Sequence, residues 1–365
     1  MTLPTTMTAV LLTGHGGPEK LEYRTDVPVP RPGDGEVLIQ VEAAGINNTD
    51  INTRIGWYSK AVTGDTNSTA TGSAGSADED DASWSGVPLT FPRIQGGDVY
   101  GKVVAVGHGV DPARLGDRVI VRNLMRHYVD RRPFECWTYG SDCDGGFAQF
   151  AVAPSAEAYT VESQLSPVEL GAISIAYSTA EGMLHRSRVG AERVVITGAS
   201  GGVGLAAVQL AKLRGAEVIA ICSPSKADVV REAGADQVID RGADLLQALG
   251  ARSVDVVVDV VGGNGVSELL ALLRRGGRYA IAGAIGGPLA EVDLRTIYLN
   301  DLSLFGCTFQ EDEVFENLVR YINQGRIRPL VSRTYPLSDI HRAQEDFISK
   351  KFAGKLVLVP PAVES

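Results

Sequence analysis

Residues 193–226 read RVVITGASGGVGLAAVQLAKLRGAEVIAICSPSK, a pattern whose residue types and spacing suit a dinucleotide. The turn Gly198-Ala199-Ser200-Gly201-Gly202-Val203-Gly204 lies between an apolar run, Val194 to Thr197, and a helical pattern, Leu205 to Leu213, stopped by Gly215. Such a turn needs a residue without a Cβ where the chain bends sharply. It needs open backbone where a pyrophosphate approaches, and a thin first helical turn against the sheet. The unpaired N–H groups and the positive helix end then face the diphosphate. Ser200, Gly201, Gly202, Val203 and Gly204 are the candidate diphosphate contacts. Ala199 stands where a G-x-G-x-x-G pattern has its first glycine. The signal therefore rests on context: a strand before, a helix after, and a second apolar run, Glu217 to Cys222, that completes a βαβ unit. A tight turn without a ligand is the alternative.

The end of that second run selects the nucleotide. An NAD site places Asp or Glu there for the ribose 2′-hydroxyl. This chain reads Cys222-Ser223-Pro224-Ser225-Lys226, with two hydroxyls, a cation and no carboxylate. Ser223 and Lys226 suit a 2′-phosphate, so NADP(H) is expected. In the alternative, Lys226 is a solvated residue opening the next helix.

Further elements must position this unit. Met7 to Leu12, Glu36 to Ala43, Lys102 to Val106, the run ending at Val121, and Gly145 to Val152 read as short strands separated by Gly and Pro, which suggests a partly open β barrel. Ser166-Pro167-Val168-Glu169 is a capped helix start, and that helix is expected to run to about Arg186, carrying Tyr177 and Thr179. Val254 to Val260, Gly277 to Ala282 and Leu302 to Phe309 read as further strands of the sheet built on the βαβ unit. Phe315 to Asn323 reads as a helix ended by Gly325, and Lys355 to Val359 as a last strand. Residues 61–86 are low in complexity and are expected to form a mobile surface excursion.

The chain has 365 residues, room for two domains, with 44% hydrophobic and 21% charged residues. A net charge of −10 argues against nucleic acid or an anionic membrane as main partner. No apolar run is long enough to span a bilayer, and the N-terminal apolar run lacks the basic segment of a secretory signal. Four scattered cysteines make no disulfide framework, which fits a reducing cytoplasm.

The motifs EVLIQVEAAGINNTD, PRIQGGDVYGKVVAVG, GDRVIV, DGGFAQFAV, ITGASGGVGLAAVQLAK, GADQVID, GGRYAIAG and PLSDIHRAQEDFISKKFAGKLVLV, in that order, resemble the medium-chain dehydrogenase/reductase superfamily. The resemblance covers nearly the whole chain apart from 61–86. It implies an α/β protein with a GroES-like β domain (1–160 and 312–365) interrupted by a Rossmann domain (161–311), and an active site in the cleft between them. It also implies cofactor contacts at Asn47, Thr179, Gly262, Ala282, Gly283 and Phe309, and a homo-oligomer, dimer or tetramer, joined at strand Leu302 to Phe309.

Zinc alcohol dehydrogenases of this superfamily carry Cys where this chain has Asn47, His-Glu where it has Gly97-Asp98, and a third ligand near Ile175. A catalytic zinc needs three protein ligands, so none is expected. Cys136 and Cys143 are all that matches the family's four-cysteine structural lobe, with His127 upstream; free thiols are the expectation. The chain thus resembles the zinc-independent branch of quinone oxidoreductases and enoyl reductases, which share Asn47, Asp50 and Arg54. It departs from some of them at Asn52, where they carry Tyr.

Hydride leaving nicotinamide builds negative charge on a conjugated oxygen, which preorganised donors must then stabilise. Asn47 is the expected donor. Tyr58 and Tyr177 are candidate donors or acids, or else core-edge tyrosines. Asp50 is expected to orient its neighbours, with Arg54 four residues on as its partner. The expected activity is NADPH-dependent reduction of quinones or α,β-unsaturated carbonyls. The alternatives are an alcohol/aldehyde dehydrogenase working without zinc, and a cofactor-binding sensor or structural protein without turnover.

Overall fold

A computed structural model describes residues 3–71 and 82–363. Contacts divide the chain into two compact units. One comprises Met1–Val62, Ser68–Ile175 and Val319–Ser365; the other comprises Thr63–Asn67 and Ala176–Leu318.

The second unit is built on a six-stranded parallel sheet. Its order is Gln237–Asp240, Glu217–Cys222, Arg193–Ile196, Val254–Asp259, Leu273–Ile281, Ser303–Gly306. The first three strands run outward one way and the last three the other, the doubly wound order whose switch point lies between Arg193–Ile196 and Val254–Asp259. Val194, Val195, Ile196, Val256, Val257 and Val258 have no exposed surface, as expected for strands covered on both faces. The helix after the glycine turn is Gly202–Leu213, and its buried residues are the small and apolar Gly204, Leu205, Ala206, Ala207, Val208, Leu210 and Ala211.

The first unit is a β domain. Its seven-stranded sheet runs Ala158–Thr160, Arg118–Val121, Tyr100–Val106, Glu36–Gly45, Lys355–Val359, Val331–Pro336, with Phe150–Pro154 also paired to Glu36–Gly45. The long strand Glu36–Gly45 serves three neighbours: Tyr100–Val106 along most of its length, with two register shifts, Phe150–Pro154 along its first half and Lys355–Val359 at its end. Its far end pairs antiparallel with the last strand, Val357 opposite Gly45 and Leu358 opposite Ala44. Val37, Leu38, Ile39, Val103, Val119, Phe147 and Phe150 fill the core beneath it.

Two expectations change. The helix expected from Ser166 to Arg186 is two helices, Pro167–Leu170 and Ser174–Arg186. The first has its Ser-Glu capping box, with Ser166 N–H donating to Glu169 at 2.8 Å. It stops at Gly171, where a Cβ would stand 2.6 Å from that of Ala43, so the chain leaves the helix to fit against the sheet. The strand expected over Leu302 to Phe309 is only Ser303–Gly306. Residues 72–81 of the low-complexity stretch, the middle of the expected excursion, lie outside the described residues; its flanks are described. A short helix forms over Thr66–Thr71, and Ala82 and Ser83 are buried. Among the strands that the sequence reading did not name are Leu21–Pro28, mostly exposed, Ala158–Thr160, Gln237–Asp240 and Val331–Pro336.

Candidate active site

The glycine turn and the loops beside it lie in the second unit. Gly198 turns with φ +57°, and a Cβ there would meet Val260 at 2.9 Å. A Cβ on Gly204 would stand 2.2 Å from the carbonyl oxygen of Gly198, so this is the glycine that lets the helix lie on the strand. Gly201 caps the helix with extended backbone, and a Cβ there would have only that same oxygen near it, at 3.4 Å, apart from its adjoining residues and the helix's own backbone. Open backbone at the start of a twelve-residue helix is suited to a diphosphate.

A buried carboxylate shapes the next loop. Asp259 accepts from the Thr197 hydroxyl at 2.5 Å, from the N–H of Val261 at 2.8 Å, from the N–H of Gly262 and from the Tyr279 hydroxyl. Gly262 follows at φ +65°, where a Cβ would lie 3.1 Å from Ala284, and one on Gly283 would lie 2.9 Å from Val260 O. Ala282 N–H donates to Asp259 O. Gly262, Ala282 and Gly283 therefore lie together beyond the strand ends. Phe309 is placed by Arg186, which donates to its carbonyl at 2.8 Å and lies over its ring. Thr179 sits on helix Ser174–Arg186. Tyr177, on the same helix, is buried with its hydroxyl toward Gln209, and burial pushes that hydroxyl's pKa up.

At the end of Glu217–Cys222, Ser223 precedes a single turn of 3-10 helix, Pro224–Lys226. The Ser223 and Ser225 hydroxyls stand 3.4 Å apart. Burial and the nearby charge of Arg241 both lower the Lys226 pKa. Arg241 was missed in the sequence. The parallel register pairs Cys222 with Asp240, so the residue after each strand lies side by side. Asp240, the one carboxylate of these strand ends, has an oxygen on the N–H of Gly242 at 3.0 Å.

The other candidate group is in the first unit, around helix Asn48–Ile55. Asn47 precedes this helix; its N–H donates to Asp50 at 2.7 Å, and Gly56 ends it in the left-handed conformation. Asp50 is 4% exposed, and burial raises its pKa to about 7 against the pull of the Asn47 N–H and Lys355. Asp50 and Arg54 are not partners. Arg54 is turned away, donating to Gln344 at 2.9 Å and to Gly16 O at 2.7 Å, and burial lowers its pKa to about 10. Tyr58 lies beyond the helix. Its hydroxyl bonds with Asn52, its pKa is raised by burial, and its ring packs edge-on against Trp84 with centroids 5.0 Å apart.

Asn47 is held by a group that no sequence motif announced. The buried ammonium of Lys355 donates to Asn47 Oδ1 at 2.6 Å, Asp98 Oδ2 at 2.8 Å and Ile46 O at 2.9 Å. Asn47 Nδ2 donates to Asp98 Oδ2 at 2.9 Å and Gly45 O at 3.2 Å. Asp98 Oδ1 accepts from Ile175 N–H at 2.5 Å. The positions that match the zinc ligands of other family members are thus tied to one another, through Asp98, around a protein cation. Asn47 and Asp98 already give their oxygens to Lys355, Gly97 has no side chain, and Ile175 has no donor beyond its backbone. These residues do not fit a zinc ion. Among the described residues no group of three or more His, Cys, Asp or Glu could hold a metal. Cys136 and Cys143 are free thiols, and burial pushes their pKa values up to about 11 and about 12.

A parallel sheet in doubly wound order, a glycine turn at its switch point and a β domain with this strand pairing define a dehydrogenase/reductase architecture. The chain belongs to the medium-chain dehydrogenase/reductase superfamily. Residues 33–163 match the alcohol dehydrogenase GroES-like domain, and residues 202–324 match the zinc-binding dehydrogenase domain. A quinone oxidoreductase from Lama guanicoe is 30% identical over 97% of each chain. An acryloyl-coenzyme A reductase from Metallosphaera sedula is 30% identical over 96% of this chain and 99% of its own. The crystal structure of a putative alcohol dehydrogenase from Sinorhizobium meliloti is 47% identical, covers 98% of both chains and superposes with a TM-score of 0.88.

Proposed function

We propose that this protein is an NADPH-dependent reductase of quinones or α,β-unsaturated carbonyls that works without catalytic zinc. The observation that carries the reading is the cluster of Asn47, Asp98 and Lys355, where a lysine ammonium takes the oxygens that a metal would need. A delocalised acceptor is reduced more easily than a plain ketone and needs no Lewis acid; hydrogen-bond donors suffice. The bound nicotinamide supplies the hydride. The relatives named as quinone oxidoreductase and acryloyl-coenzyme A reductase support this substrate class.

In this reading residues 161–311 hold the cofactor, and residues 1–160 and 312–365 the acceptor. Ser200 to Gly204 bind the diphosphate through open N–H groups. Ser223 and Lys226, with Arg241 beside them, take the 2′-phosphate. Asn47, Thr179, Gly262, Ala282, Gly283 and Phe309 complete the cofactor site. Asn47 is the donor to the developing oxyanion, releasing its longer bond to Gly45 O. Tyr58, its hydroxyl shared with Asn52, is the candidate proton donor, and Asp50 fixes the Asn47 backbone. Tyr177, its hydroxyl toward Gln209, is the second candidate acid. A cytoplasmic homo-oligomer belongs to the same reading. It is supported by free thiols and by exposed Leu304, Tyr298 and Leu299 at and beside the edge strand. Among the described residues no helix is long and apolar enough to cross a membrane.

A second reading, an alcohol/aldehyde dehydrogenase, is favoured by the 47% identity to a putative alcohol dehydrogenase. NADPH oxidation against a panel of quinones, enones and aldehydes, with a chelator present, separates the two. Turnover of quinones or enones is expected. Activity with aldehydes alone, or only after zinc is added, would overturn the reductase reading.

A further inference from the structure

Lys355 opens the last strand, and the register of that strand against Glu36–Gly45 carries its ammonium beneath Asn47. Its side chain is 4% exposed, and that of Asp98 is fully buried. The ammonium has three hydrogens and three acceptors at 2.6–2.9 Å, so it is saturated and has no proton left for substrate. What it does is fix Asn47. An ammonium can only donate, so the amide oxygen must face Lys355; an ionised carboxylate can only accept, so the amide nitrogen must face Asp98. The amide is clamped between opposite charges and cannot turn over.

Resting on the reductase reading above, we propose that Lys355 is a positioning residue that polarises Asn47 from behind. A cation on the amide oxygen draws charge from the nitrogen and makes each Nδ2–H a stronger donor. One of these hydrogens is held by Asp98. The other, on the longer 3.2 Å bond to Gly45 O, is the one left to be shared with the oxygen of a reacting carbonyl beside it. The lysine thereby delivers positive charge through an amide, where zinc-bearing relatives would deliver it directly. Gly45 is part of the device, because a Cβ there would stand 2.6 Å from Asp98 Oδ2 and break the clamp.

The test compares wild type, Lys355→Met, and the double variant Lys355→Met/Asp98→Asn, which removes both buried charges together. Melting temperature, NADPH affinity, and kcat and KM with 1,4-benzoquinone are measured on the full chain. Lys355→Met alone leaves a buried carboxylate unpaired and is expected to melt earlier. The double variant is expected to regain melting temperature and to bind NADPH as wild type does, but to turn over about 10²-fold more slowly, the loss expected of an oxyanion donor. Wild-type kcat in the double variant would overturn the proposal and leave the pair as packing. A second readout needs no turnover. The Asn47 side-chain amide protons, assigned against Asn47→Ser, are expected to exchange with solvent more slowly in wild type than in the double variant. If the wild-type protein reduces no acceptor, the reductase reading fails, and this exchange still decides whether Lys355 clamps Asn47. Equal exchange rates would overturn the clamp.

Discussion

The N–H of Arg241 donates to the carbonyl oxygen of Cys222 at 2.9 Å, which fixes the arginine beside the turn that carries Ser223 and Lys226. Two cations then stand at neighbouring strand ends. Like charges held close together gain from an anion between them. Lys226→Glu and Arg241→Glu should each weaken NADPH by about 10- to 100-fold, the range of a charge-assisted hydrogen bond, and should weaken NADH far less. Titration of nucleotide fluorescence measures this, and equal loss of both nucleotides would remove the 2′-phosphate from this corner.

Asp50 gives a pH signature. Its folded pKa is raised to about 7, mainly by burial, from the ordinary aspartate value of 3.8, and the charged groups facing it are Asp98 and Lys355. The folded state therefore holds a proton that the unfolded chain releases. That contribution is fully present below about pH 4 and is lost as pH rises toward 7, at about 1.4 kcal/mol per pH unit for one proton. Asp50→Asn should flatten the stability curve between these limits, as followed by urea midpoints across pH. An unchanged slope would place the titration elsewhere.

Tyr58→Phe keeps the ring on Trp84 and removes only the hydroxyl that meets Asn52. If that hydroxyl supplies the proton, kcat should fall about 10²-fold with little change in melting temperature. Trp84→Ala removes the edge-to-face partner instead, and should cost about 0.5–1.5 kcal/mol beyond the lost area. Wild-type kcat in Tyr58→Phe would return Tyr58 to a packing role.

Gly204→Ala adds a Cβ that would stand 2.2 Å from Gly198 O, a backbone atom. Overpacking of this kind costs about 1–3 kcal/mol. Melting temperature and dinucleotide affinity should fall together, since one carbonyl shapes both the turn and the helix start. An unaffected variant would mean that the turn is looser than its geometry indicates.

Much of this was legible in the sequence because the signals are local. The glycine turn, the two strands around it and the Ser166 cap all lie within a few residues of their own causes. The break at Gly171 was not legible, because it is dictated by Ala43, far away in the chain. Arg241 needed the register of two parallel strands, which no periodicity encodes. Lys355 is the clearest case. It is 308 residues from Asn47, and a lysine at the start of an apolar strand reads as a solvated edge charge. Only the pairing of the two strands turns it into a buried cation.

That pairing also sets an order of events during synthesis. The edge of Glu36–Gly45 that receives Lys355–Val359 is made early and must stay open while some three hundred further residues emerge. The parallel sheet closes entirely from residues 193–306 and can be complete before then. The parallel sheet and its glycine turn can therefore mature on a nascent chain while the Asn47 corner cannot. A chain released before Lys355 would leave Asp98 without the ammonium that pairs it and the edge of Glu36–Gly45 open, a ready template for pairing with another chain.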